Sequence, residues 1–267
     1  MLMTRILTAI VLVIVLAVVL LLLPASMAVG ALGLLALAGA WEWAAFAGLT
    51  RTPARAAYVA ACLVLMTVLW GYAATPDGFR HVMVAALLWW LAVFAWILTA
   101  PRRGRPWLAA LAGLFALVPM WVAMAKLFES GPIGRELVIF SMILAWASDV
   151  GAYFVGRQFG RLKLAPWVSP NKTWEGFLGG LAAGFAAALV GQLWFGFEAR
   201  AFLPLCVAVV LASVVGDLAE SMFKRQCGIK DSGRLLPGHG GVLDRIDSLT
   251  AAIPVLALGL LWIGIPA

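Results

Sequence analysis

A chain of 267 residues could hold one or two soluble domains, but 64% of it is hydrophobic and only 12% is charged, about half the charged share of soluble domains. That balance excludes an ordinary water-soluble fold and points to an integral membrane protein. The net charge of +7 therefore bears on topology and anionic lipid rather than on nucleic acid, for which the chain carries no binding motif.

A bilayer core needs roughly 20 mostly apolar residues per helix. In chain order, the runs that meet or approach this are 6–23, 27–49, 56–74, 82–100, 107–125, 137–155, 174–197, 201–222 and 248–267. The breaks carry turn residues: Pro24, Pro53, "TPDG" from Thr75, "PRRGRP" from Pro101 and "SGP" from Ser130. The expectation is an all-α polytopic membrane protein with about nine transmembrane helices. Five form an N-terminal region, 1–136; the rest form a C-terminal catalytic region, 137–267, with polar loops 156–173 and 223–247. The opening "MLMTR" with "PASMA" after the first run could mark a cleaved signal peptide. At 18 residues that run exceeds the 7–15 residues of a signal core, so it is read as a span. Cys62 and Cys206 lie in apolar runs and Cys227 in the polar segment, which makes no disulfide framework.

Lysine and arginine set orientation. With nine spans, one side collects Arg5, Arg51, Arg55, Arg102, Arg103, Arg105, Arg157, Arg161, Lys163, Lys172, Lys224, Arg225, Lys230, Arg234 and Arg245. The other keeps only Arg80, Lys126, Arg135 and Arg200. The basic side is expected to be cytoplasmic, with the N-terminus inside and the C-terminus outside.

Ionisable residues within spans are costly and are functional candidates by default. At 1.5 Å per residue, Asp149, Glu42 and Asp217 sit roughly 18, 22 and 24 Å from the outer face, in the half of the membrane that faces the basic loops. Glu42, between Trp41 and Trp43, reads as structural. Ser213, Asp217, Glu220, Ser221 and Lys224 fall on one helical stripe that leads into the charged segment. Trp146, Asp149 and Tyr153 share another face, with Arg157 just beyond.

Two polar segments carry the chemistry. "SPNKTWEG" places Ser169, Pro170 and Asn171 before a helix start, with Lys172, Thr173 and Glu175 in its first turn. Helix N-termini attract anions, and Lys172 adds a full charge, so this is a phosphate site in outline; plain capping by Thr173 or Asn171 is the alternative. In "KRQCGIKDSGRLLPGHGGVLDRID", Lys224, Arg225, Lys230, Arg234 and Arg245 suit a polyphosphate, while Asp217, Asp231, Asp244 and Asp247 are hard oxygen ligands that suit Mg²⁺. The "GHGG" turn, with Gly240 and Gly241, allows close backbone approach to an anion. His239 is read either as an acid–base group or as a hydrogen-bonding strut. No Walker A sequence is present, and Cys227 with His239 is too few ligands for zinc. The combination points to phosphoryl or nucleotidyl transfer.

These residues resemble the phosphatidate cytidylyltransferase (CDP-diacylglycerol synthase) family. The pattern S-x-x-K-R-x4-K-D-x-[GSA]-x2-[LIF]-[PGS]-x-H-G-G-x-x-D-R-x-D is filled by Ser221, Lys224, Arg225, Lys230, Asp231, Gly233, Leu236, Pro237, His239, Gly240, Gly241, Asp244, Arg245 and Asp247. "SPNKTWEG" is similar to the family's S-P-x-K-T-x-E-G block. Asp149, Tyr153 and Gly156 resemble the segment before it. The resemblance implies an enzyme of the inner (cytoplasmic) membrane that converts CTP and phosphatidic acid to CDP-diacylglycerol and pyrophosphate. It further implies Mg²⁺ held by Asp217 and Asp244, with K⁺ as a second metal, and a homodimer whose site opens to the cytosol and to membrane lipid. A transporter or channel using embedded acids, and a related lipid-directed transferase or kinase using another nucleotide, are the rival readings.

Overall fold

The computed structural model describes residues 2–233, 235 and 240–265. Among them are nine α-helices: α1 (Leu2–Ala17, continued by a π-helical turn Val18–Leu22), α2 (Ala25–Trp43), α3 (Thr52–Tyr72), α4 (Pro76–Thr99), α5 (Pro106–Glu129), α6 (Pro132–Phe159), α7 (Trp174–Phe195), α8 (Ala199–Gln226) and α9 (Leu243–Trp262). Eight of these, α2 to α9, are long and apolar enough to cross a membrane; the first helix contributes a shorter apolar stretch, Ile10–Leu22.

The punctuation residues open helices rather than merely separating them. Pro53, Pro76, Pro106 and Pro132 stand in the first turns of α3 to α6, where a missing N–H costs nothing. The Thr75 hydroxyl caps α4 by accepting from the Gly78 amide at 3.1 Å.

Two features depart from the expected layout. Between α6 and α7 lies an antiparallel hairpin, β1 (Lys163–Ala165) and β2 (Ser169–Thr173), so the fold is all-α apart from this ribbon. The charged stretch Lys224–Asp247 is not one loop. Its first residues finish α8 and its last open α9, five residues earlier than the apolar pattern indicated. Acids in a helix's first turn face the positive end of its dipole, so Asp244 extends α9 even though it interrupts the hydropathy signal.

Helix α9 is the centre of the bundle, packed against α2, α4, α5, α6 and α8, and it is buried along most of its length together with α5. Helices α6 and α7 lie side by side along a seam of small residues that includes Gly151, Gly156, Gly176 and Gly179. The core is thus built around the helix that carries Asp244 and Asp247.

Candidate active site

The site forms where the ends of α8 and α9 meet the hairpin and α6. At Gly216 the two helices touch: a Cβ there would lie 2.6 Å from the Asp247 carbonyl oxygen. Only glycine permits that approach, and it sets Asp217 of α8 beside Asp247 of α9. The polar stripe of α8 then faces the first turn of α9.

Two lysines pair with the acids. Lys224 Nζ lies 2.8 Å from Asp244 Oδ1 and 2.5 Å from Glu220 Oε2. Lys172, on β2, lies 2.5 Å from Asp217 Oδ2. The Ser221 hydroxyl donates to Asp217 Oδ1 at 3.5 Å. Asp244 also accepts from the Gly241 amide at 2.7 Å and from the Ser232 amide at 3.3 Å. Asp247 Oδ1 accepts from the Ser248 amide. Asp149 and Asp247 both feel the charge of Asp217, Asp247 also feels that of Glu220, and Glu220 feels that of Asp244. Five carboxylates therefore share one region with Lys172 and Lys224.

A cavity of about 590 Å³ opens beside this cluster between α6, the hairpin, α7 and α8. Its polar lining includes Asp149, Tyr153, Arg157, Ser169, Asn171, Lys172, Thr173 and Asp217; Leu164, Phe177 and Val214 make it apolar elsewhere. The Arg157 guanidinium donates to the Tyr153 hydroxyl at 3.1 Å. Cavities with apolar walls and a few convergent polar groups are where ligands bind.

Most residues picked from the sequence fall here, but not all. Ser169, Asn171, Lys172 and Thr173 line the cavity. Thr173 is also the N-cap of α7, accepting from the Gly176 amide at 3.1 Å, so the capping role and the lining role coexist. Glu175 is turned away: it accepts from the Arg161 amide at 3.0 Å and the Leu162 amide at 3.2 Å, fastening the hairpin's entry. Arg225 Nε donates to the Val168 carbonyl at 3.4 Å and so holds the hairpin tip. Lys230 and Asp231 are exposed on the strap between α8 and α9, Arg245 is exposed on α9, and Gly240 adopts φ +82° next to Asp244. His239, Arg234, Leu236, Pro237 and Gly238 lie outside the described residues. Glu220, on the polar stripe of α8, joins the site as well. It is 1% exposed, and its position between Asp217 and Lys224 was the available signal.

The donor set suits a hard divalent cation. Both Glu220 carboxylate oxygens lack a directed hydrogen bond among the described residues, although Oε2 is ion-paired, and acids outnumber the lysines that face them. No three acidic, histidine or cysteine side chains among the described residues form a ready metal cage. A hard divalent cation such as Mg²⁺ takes one or two carboxylates and completes its shell with water and substrate phosphates.

A model of the cytidylyltransferase family matches residues 3–262. The phosphatidate cytidylyltransferase of Pseudomonas aeruginosa is 46% identical over 269 aligned positions, covering 98% of this chain and 97% of that protein. That of Haemophilus influenzae is 39% identical, covering 95% and 96% respectively. The Brucella suis protein of the same name is 45% identical over a shorter stretch, 61% of this chain.

Proposed function

The chain belongs to the cytidylyltransferase family, and on that premise we propose that it transfers CMP from CTP to phosphatidic acid, giving CDP-diacylglycerol and pyrophosphate. The observation that carries this reading is the meeting of Asp217, Glu220, Asp244 and Asp247 with Lys172 and Lys224 beside a cavity whose walls are part polar and part apolar. Such a site suits one water-soluble polyanion and one lipid headgroup.

The bond that forms joins a phosphatidate oxygen to the α-phosphorus of CTP; the bond that breaks releases pyrophosphate. The attacking oxygen is already anionic at neutral pH, so no strong base is required. The protein's task is to bring two polyanions together and to stabilise the charge that grows at phosphorus and on the leaving group. Lys172, Arg157 and Asn171 line the cavity and would face a bound phosphate, and Lys224 adds its charge beside Asp244. Asp217 and Asp244 would hold Mg²⁺, with Glu220 and Asp247 adjacent. When bound, the cation neutralises phosphate charge and favours departure of pyrophosphate. The site opens toward the cytoplasm and inner leaflet of the inner membrane, and the enzyme works as a homodimer.

The test is transfer from radiolabelled CTP to phosphatidic acid in detergent, with Mg²⁺ or with EDTA. Lipid product should form only with the metal, and Asp217→Asn or Asp244→Asn should each lower kcat by roughly 10²–10³-fold, the size of a lost transition-state contact. No lipid product from folded wild type would overturn the reading.

A further inference from the structure

Glu42 belongs to the last turn of α2, far from the motif residues in sequence, and is only 3% exposed. Its Oε2 accepts from the Leu243 amide at 2.8 Å and from the Ser232 hydroxyl at 3.3 Å, partners 201 and 190 positions away. Gly233 and Gly241 close over the same carboxylate. A Cβ at Gly233 would collide with Oε1, and one at Gly241 with Oε2 and with Ser232 Oγ. Oε1 has no hydrogen-bond partner among the described residues. Burying an acid with one oxygen unsatisfied is expensive, so the contacts it does make call for a reason.

Those contacts converge on Asp244. The Ser232 hydroxyl reaches Glu42, while the Ser232 amide donates to both Asp244 oxygens at 3.3 Å. The Leu243 amide is one of the first-turn N–H groups that α9 cannot satisfy internally, and it immediately precedes Asp244. Gly241, whose amide donates to Asp244 Oδ2 at 2.7 Å, is packed against Glu42 itself. One carboxylate from the N-terminal half thus grips the strap on one side of Asp244 and the helix turn on the other.

We infer that Glu42 is a positioning residue for the transfer reaction: through Ser232 and the first turn of α9 it holds Asp244 in the direction needed to bind the divalent cation. The inference rests on the metal-dependent reading proposed above. Partners of metal ligands are typically worth 10–100-fold in metal affinity or activity. A purely architectural tie between α2 and α9 would affect folding but not the metal affinity of the folded protein.

Mn²⁺ binding separates these cases, measured on the detergent-purified full chain by the EPR signal of the free ion. Glu42→Gln keeps the shape but replaces one acceptor oxygen, and should raise the Mn²⁺ dissociation constant about tenfold. Ser232→Ala, which cuts only the hydroxyl link, should raise it about threefold, and this milder variant keeps the test available if Glu42→Gln does not fold. The Mg²⁺ concentration for half-maximal transfer should rise in parallel. Trp43→Phe serves as a packing control, since Trp43 Nε1 donates to the Ala109 carbonyl at 2.7 Å away from the acids; it should lower thermal stability without moving either metal constant. Mn²⁺ affinity within twofold of wild type in both Glu42→Gln and Ser232→Ala would overturn the inference, as would a wild type that binds no Mn²⁺. A wild type that binds Mn²⁺ yet makes no lipid product would sink the proposed reaction alone, and the Mn²⁺ shift would still decide the role of Glu42.

Discussion

Lys224 serves two carboxylates at once, Glu220 at 2.5 Å and Asp244 at 2.8 Å. Its side chain is 14% exposed and that of Glu220 1%, so solvent screens the group poorly. Lys224→Met leaves two neighbouring acids without their cation. Removing one partner of a buried ion pair costs roughly 3–5 kcal/mol, and the remaining exposure of Lys224 places the expected loss near the lower bound. Thermal stability in detergent should fall and transfer should be abolished. The double variant Lys224→Met/Glu220→Gln should regain much of the stability, because the neutral amide no longer needs a cation, while activity stays lost. A double-mutant cycle on thermal unfolding checks this, and simple additivity of the two stability changes would show that the pair is not coupled. Glu220 was open to recognition at this scale, three residues after Asp217 and four before Lys224 on one face. The partners of Glu42 were not, because no local period connects residue 42 with residues 232 and 243. Glu42 is buried and hydrogen-bonded, and its link to Asp244 appears only in three dimensions.

The hairpin is the element that brings Lys172 to Asp217, and it is fastened at both ends. Glu175 holds the Arg161 and Leu162 amides at its entry. At the tip, Arg225 holds the Val168 carbonyl, and the Arg102 guanidinium stacks 3.3 Å from the Trp167 ring centre. Loss of the entry fastening should loosen the ribbon without unfolding the bundle. Glu175→Ala is therefore expected to speed tryptic cleavage after Arg161 and Lys163 several-fold in native detergent solution and to lower kcat/KM, with the thermal midpoint nearly unchanged. Unaltered cleavage would remove Glu175 from this role. The ribbon was illegible beforehand because Pro166 and Pro170 interrupt a stretch too short for strand alternation to emerge. Helix positions were legible because each long apolar run can satisfy its backbone in lipid only as a helix. Helix boundaries were less so: α9 starts at Leu243 because its first-turn acid, Asp244, is stabilised by the dipole and by Lys224, neither of which an apolar count can register.

At the scale of the whole molecule, side-chain contacts sort the connections into two groups. The α4–α5 link, the hairpin and the end of α8 meet on one side through Arg102 with Trp167, Gln226 with the Pro101 carbonyl, and Arg225 with the Val168 carbonyl. Across the bundle, Trp70 and Lys126 join Glu129, Tyr72 joins His81, and Trp194 joins Glu136. The first group carries most of the lysine and arginine and contains the proposed site; the second is poor in cations. Loops dense in Lys and Arg favour the cytoplasmic side, and the proposed function needs the site to face that side. This orientation has a direct test. In a variant lacking Cys62, Cys206 and Cys227, a cysteine replacing Asp77 should react with a membrane-impermeant maleimide added to intact spheroplasts. A cysteine replacing Arg103 should react only after the membrane is permeabilised. Asp77 opens α4 among the exposed residues of the cation-poor side, and Arg103 is exposed beside the hairpin, so both positions are accessible in the folded protein. The reverse labelling pattern would place the acids and lysines on the outer face, away from any supply of nucleotide, and would make cytidylyl transfer at this cluster untenable even if the purified protein bound metal.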